Sequence, residues 1–492
     1  EADFVNLISD GILQSFAGFD PNAHGGDIRI FAEFLNMDGG RIITESENDA
    51  DGGNVFINAF AFGFFGGVLN TFGRGNGATG SVNINAFDLF MPGGRIDTRA
   101  FADGLGGDVS INANVFNHAG GVITTTALGS TASGVLSVNA DTLIFSDQGI
   151  LQTQAAGTGG ARSGALIVNT RDALFFGGEV ASAGFSGAGV GPVEFTATGL
   201  LQMTNGFNQI ATASIRGADA GDVTVRAGEA VLENGAVIES FTFETDARSG
   251  NITVDIEGHL SLSGDSAVNS LSRGAGEAGD VTVSAAGLTL SDFAHIQSLN
   301  EGTGDAGAVT VGASGDLLIE RGAFIESVST EEGSAADVRI EAANAVIIDE
   351  AFVRSISFGS IGNTGEVVFD LSGDLLLSGF AVIESSNNGV GNADGVLINA
   401  RNATIDGNSI LRSIVFGAEG AAGAVRVDLS GDFNLMGESA VESTTLGLGD
   451  PAGVSIAAES AHIGEFSRVQ SGIFGSGTGG SVRFDIANAL IA

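Results

Sequence analysis

The chain has 492 residues, 78 of them Gly and only 4 Pro, with no Cys, Trp, Tyr or Lys, and its 59 acidic against 19 basic residues leave a formal charge of -40. That charge repels nucleic acid and anionic membrane surfaces, and the missing cysteine excludes disulfides, thiolate metal sites and cysteine nucleophiles. No run of about 18 apolar residues is available to cross a bilayer as a helix, and a hydrophobic content of 43% set in strict register excludes disorder as the reason for the charge.

The chain opens at Glu1 with neither an initiator Met nor a signal peptide, which reads as a mature or internal segment. Glu1 to Ser15 has the pattern of the later part of a repeat, entering near Val5 and Leu7. Full repeats follow, each opened by a Gly-centred turn and an alternating strand, as in Gly26-Asp27-Ile28-Arg29-Ile30, Gly53-Asn54-Val55-Phe56-Ile57 and Gly107-Asp108-Val109-Ser110-Ile111. The first apolar column runs Ile28, Val55, Val82, Val109, Leu136, Leu166, Val193, Val223, Ile252, Val281, Val309, Val338, Val367, Val396, Val425, Val454 and Val482. The intervening residues are mostly polar, the period-two signature of strands with one face inward.

A second short strand carries Leu35, Leu89, Leu143, Leu260, Leu288, Leu317 and Leu375, and a second turn follows, often Gly-Gly (Gly39-Gly40, Gly66-Gly67, Gly120-Gly121). The third strand is an apolar-x-Ser/Thr phrase. Its hydroxyl column is unbroken from Ser15 through Thr44, Thr71, Thr98, Thr125, Thr153, Ser182, Thr212, Ser240, Ser270, Ser298, Ser327, Ser355, Ser385, Ser413 and Ser443 to Ser471. A regular internal period of this kind is the mark of a solenoid. A variable Gly/Asp/Ser-rich loop closes each repeat.

Three strands and three bends per repeat, without a helical period, predict an all-β fold: a right-handed parallel β-helix, a solenoid of about 17 coils of 27–30 residues, continuous over 1–492. Coils stacked at about 4.8 Å would make a rod of roughly 80 Å. Coils in 1–133 are the shorter ones, about 27 residues each, and Phe-rich, whereas those in 134–492 run to about 29 residues. Phe31 and Phe56 stand at nominally outward positions in the early coils. Either the sequence drifts around one scaffold, or the first third carries a lateral contact surface. The residue before the hydroxyl reads Glu326, Arg354, Glu384, Arg412 and Glu442 in consecutive coils, which predicts an exposed, outward column of alternating charge. The hydroxyls then point inward as a mutually hydrogen-bonded ladder, an orientation that argues against ice binding. Residues 480–492 supply only the earlier part of a coil, and no polar or helical cap is evident at either end. Open strand edges template further pairing, so a segment of something longer or a head-to-tail fibre is expected.

The combination Gly-Asp-Val-Thr-Val, an apolar second strand and Gly-Ala-x-Ile-x-Ser, clearest in Asp219 to Ser240 and Asp305 to Ser327, resembles the passenger repeats of filamentous-haemagglutinin-like proteins. These are the large exoproteins of two-partner secretion, and the repeat length of this chain is similar to that of cyanobacterial members. The resemblance extends over essentially the whole chain and implies an exported β-helical rod acting in adhesion or surface coating. No secretion domain of that family is recognisable.

Parallel β-helices also house polysaccharide lyases and hydrolases, whose sites cluster acids with Arg, Lys or Ca²⁺ on one face. Here the acids are dispersed. Asp27, Asp108, Asp222 and Asp280, after the opening Gly, fit turn residues bonding nearby backbone. Glu45, Glu47, Asp49 and Asp51 form the densest acidic loop, followed by Glu331-Glu332; solvated loop charge and weak Ca²⁺ binding are the alternatives. His24, His118, His259, His295 and His462 fall at different repeat phases and cannot gather by stacking. No Ser or Thr has an identifiable base and third group. The expectation is therefore no catalytic, cofactor or metal residue: an extracellular structural protein, self-associating head to tail, without nucleic-acid partners or a transmembrane segment. An adhesin passenger binding a receptor or glycan through its loops is the alternative, and a carbohydrate-active enzyme the least favoured.

Overall fold

The computed structural model describes residues 2–20, 23–157, 160–243, 246–359 and 361–492. Among them there is no helix: strands and turns wind into the expected right-handed parallel β-helix of about 17 turns. The chain divides into two compact units, Glu1–Gly250 and Asn251–Ala492.

In both units each strand pairs in parallel with its equivalent one repeat later, in the register that the apolar columns predict. In the first unit Ile28 pairs with Val55, Val55 with Val82 and Val82 with Val109. In the second, Val281 pairs with Val309, Val309 with Val338 and Val338 with Val367. The sequence offset between partners varies from coil to coil, shorter from Ile28 to Val55 than from Leu136 to Leu166, because the extra residues fall in loops. A slip by one residue would turn every inward Val and Ile to solvent, so the alternation itself fixes the pairing.

The two units differ at the bend between the first and second strands. In most coils of the second unit the two strands are separate, as in Glu366–Leu371 and Asp374–Ser378 on either side of Ser372-Gly373. In the first unit the bend reads Ala32-Glu33 or Ala59-Phe60, and the two strands fuse into one bent strand, Ile28–Asp38 or Val55–Phe64. Three strands per coil thus hold in most of the second unit, with or without Gly at the bend (Gly373, Ala343), whereas in the first unit the backbone stays extended through the corner even at Gly199 and Gly228.

Inward columns of Val, Ile and Leu fill the core, joined in the first unit by an aromatic file. Phe145 stacks on Phe175 at 4.4 Å between centroids, and Phe175 packs on Phe195 at 5.8 Å. The second turn of each early coil uses the positive φ that only Gly adopts freely, +75° at Gly39 and +74° at Gly120. Several later coils place bulky residues in the same left-handed region, among them Phe293 and Phe380, both at +65°.

Candidate interaction surfaces

The hydroxyl column lies inside, Thr71, Thr98, Thr125, Ser298, Ser327 and Ser355 each having no exposed surface. Its bonding differs from the expected mutual ladder. In the first unit threonines donate to the carbonyl of the glycine that opens the next coil, Thr98 Oγ1 to Gly107 O at 2.6 Å and Thr125 Oγ1 to Gly134 O at 2.7 Å. In the second unit serines accept from the backbone N–H at that turn, Gly307 N to Ser298 Oγ at 2.8 Å and Gly365 N to Ser355 Oγ at 2.9 Å. They also donate to the turn of the preceding coil, Ser327 Oγ to Gly307 O at 2.9 Å and Ser355 Oγ to Ala336 O at 2.8 Å. The threonine methyl restricts χ1, whereas serine is free to rotate between both partners. Direct bonds within the column run from Thr153 to Ser182 and from Thr212 to Ser240, each 2.9 Å, where Thr and Ser are neighbours. Each of these bonded hydroxyls clips the two ends of the variable loop together, whereas Thr44 Oγ1 and Ser471 Oγ are buried without a partner. The opening glycines are required by close approach: a Cβ on Gly107 would stand 2.0 Å from Gly80 O, and one on Gly134 the same distance from Gly107 O.

The aspartates after those glycines also bond differently from a local turn. Asp27 Oδ1 accepts from Asn54 N at 3.0 Å, Asp108 Oδ1 from Val135 N at 2.8 Å and Asp280 Oδ1 from Ala308 N at 2.8 Å. Each acceptor thus serves the equivalent turn of the next coil. The Asn54 N–H, then the Arg29 guanidinium, hold the Asp27 carboxyl below its ordinary value.

The densest acidic loop is engaged in the same way. Asp49 and Asp51 each accept from a backbone N–H of the next coil, Asn76 and Ala78, at 2.9 Å. Glu45 and Glu47 lie 2.7 and 3.0 Å from Arg74 Nε. Glu331 and Glu332 are exposed. Among the described residues no group of three or more His, Cys, Asp or Glu is arranged to hold a metal ion.

The five histidines are not brought together. His118 is core, packed between Phe116 and Phe145, and desolvation lowers its pKa to about 4. His295 stacks on Phe324 at 4.8 Å, His259 Nε2 lies 3.2 Å from Thr289 Oγ1, and His24 and His462 are exposed.

The alternating charge column is in register, Glu326 beside Arg354 and Glu384 beside Arg412, but it is not exposed as expected. Glu326, Glu384 and Glu442 keep only 4, 5 and 6% of their surface. Arg354 Nε donates to Glu326 Oε2 at 2.5 Å and Arg412 Nε to Glu384 Oε2 at 2.7 Å, while the Arg354 guanidinium lies over the Phe352 ring at 4.3 Å. Desolvation raises the Glu326 carboxyl even so. A comparable cluster in the first unit is not anticipated from the sequence: Asp97 is buried between Arg95 and Arg99, and Thr124 Oγ1 donates to its Oδ1 at 3.0 Å. The Arg-Ile-Asp-Thr-Arg spacing, which puts both guanidiniums on the face of the acid, is the one available clue.

Phe31 is exposed, whereas Phe56 is half-buried with the Arg29 guanidinium 4.9 Å from its ring centroid. In the second unit exposed apolar residues gather on the variable loops, Phe358, Ile361, Val390, Phe416 and Leu448 among them. The strand Ser481–Ile491 pairs with Gly453–Ile463, matching Val482 to Val454 and Leu490 to Ala461. Val454 and Ala461 are 2 and 3% exposed, their successors Val482 and Leu490 42 and 49%.

Compared with known proteins, the chain matches no family model, and no curated protein or solved structure is significantly similar to it.

Proposed function

We propose that this chain is an exported, non-catalytic structural protein of the filamentous-haemagglutinin-like kind, a segment of a surface rod or filament that grows by adding coils end to end. The observation that carries the reading is the unbroken parallel pairing of equivalent strands within a unit, as from Val281 through Val309 and Val338 to Val367. A further coil laid on Ser481–Ile491 would pair in the same way and cover Val482 and Leu490. Such a coil belongs either to more of the same chain or to a neighbouring copy. Negative-stain electron microscopy of the 492-residue protein distinguishes the two. Fibres that Leu490→Arg converts to discrete particles support assembly between copies. Discrete particles of the unmodified protein at every concentration sink it.

The second reading, an adhesin passenger, is favoured by the exposed apolar loop residues of the second unit. Phe358, Phe416 and Leu448 stand on the variable loops where a receptor or glycan would be met. Cell-binding assays with Phe416→Ser address it: unchanged binding of the variant removes the loops as the contact.

A further inference from the structure

The first unit carries a shallow groove running from coil to coil along the corner where its fused strands bend. One wall is a ladder of asparagines at a single repeat position, Asn85, Asn112, Asn139 and Asn169. Asn112 Nδ2 donates to Asn85 Oδ1 at 3.0 Å, and Asn139 to Asn112 and Asn169 to Asn139 each at 3.1 Å. An amide inside this run commits one N–H and one lone pair to its neighbours, so one donor and one acceptor per coil remain for a ligand. The floor is the next position, alanine in Ala86, Ala113 and Ala140, which keeps the corner low. The far wall begins with Phe87, on which the ring of Phe60 stacks at 5.1 Å just beyond the groove's end, each ring about half exposed. It ends at Asp141, 3.2 Å from the Arg171 guanidinium.

We propose that this groove binds a linear, uncharged polysaccharide laid along the coil stack, its C–H groups against the exposed parts of the Phe60 and Phe87 rings and its hydroxyls on the asparagine amides. The walls offer the paired donors and acceptors that a hydroxyl needs, and exposed apolar ring surface for sugar C–H groups. A net charge of -40 works against an anionic polymer. An extended peptide fits poorly for two reasons. Its side chains repeat every ~6.8 Å, out of step with coils stacked at about 4.8 Å, and the strand backbones here are already paired between coils, which leaves no edge for strand addition. A hexopyranose in an extended linkage advances by close to one coil. The site lies on paired strands of the first unit and uses neither the variable loops nor Ser481–Ile491, so it stands whether or not copies assemble.

Isothermal titration of the 492-residue protein with cellohexaose, mannohexaose and xylohexaose, and with hexagalacturonate and deacetylated chitohexaose as charged controls, tests this. The expected result is binding of at least one neutral hexasaccharide with little dependence on salt. The Phe60→Ala/Phe87→Ala double variant should weaken it about tenfold or more, and Asn112→Leu/Asn139→Leu should weaken it too. Phe176→Ala, which removes an exposed ring outside the groove, should leave it unchanged. Circular dichroism establishes that each variant keeps its β-fold, and the double phenylalanine variant, altered only at exposed rings, is the decisive one. Failure of every neutral sugar to bind, tighter binding of a charged one, or full affinity in the double phenylalanine variant would overturn the proposal.

Discussion

Thr98 shows how much one hydroxyl does in this fold. It is fully buried, and its bond to Gly107 O ties the end of one coil to the start of the next. Thr98→Val keeps the shape but leaves that carbonyl without its donor, which costs about 1–3 kcal/mol; urea denaturation followed by circular dichroism should show the loss as a lower midpoint. Glu179 is the opposite case, a half-buried carboxylate whose value desolvation alone pushes up. A raised folded-state value means that the fold favours the protonated acid. Its contribution is present in full below the ordinary carboxylate range and is lost as pH rises through the raised value. Glu179→Gln should therefore be the more stable protein at neutral pH, by up to about 1 kcal/mol. The advantage should shrink as pH falls into the carboxylate range, and unfolding midpoints measured across that range check the sign.

At the level of the strand and turn, the repeat was legible because each strand carries the same two-residue alternation. Val82 could only pair with Val55 and Val109 without inverting its face. What stayed hidden depends on neighbours that a single strand does not display. The burial of Glu326 arises from Arg354, one coil away, lying against it, so its own alternation marked it as exposed. The partners of the hydroxyls depend on rotamer freedom, and the Ser-for-Thr exchange along the column held that information unread. The amide ladder of Asn85 to Asn169 likewise depends on side chains of successive coils meeting, which no single strand displays. The second turns add a prediction of their own: Phe380 holds φ at +65° and is 62% exposed. Phe380→Gly relieves a left-handed conformation that bulky residues resist, and should raise stability by about 0.5–1 kcal/mol after the entropy of the added glycine. A higher thermal midpoint is the readout.

For the molecule as a whole, charge and ladder geometry oppose each other. Stacking brings like loops of successive coils together, while the chain carries -40. The design answers with local contacts such as Asp27 to Asn54 N, which return each acceptor to the next coil's backbone. Residual repulsion should still respond to screening, so the thermal midpoint should rise between about 10 and about 150 mM sodium chloride; a flat or falling midpoint would contradict it. The hydroxyl clip carries a further consequence. It closes over spans of nine residues from Thr98 to Gly107, ten from Ser355 to Gly365 and eleven from Thr153 to Gly164. Loop content is thereby insulated from the scaffold, and a foreign epitope grafted between the two halves of a clip would be presented at a fixed address. Grafts in successive coils would form a row spaced by the thickness of one strand, a molecular ruler for displaying antigens or enzymes.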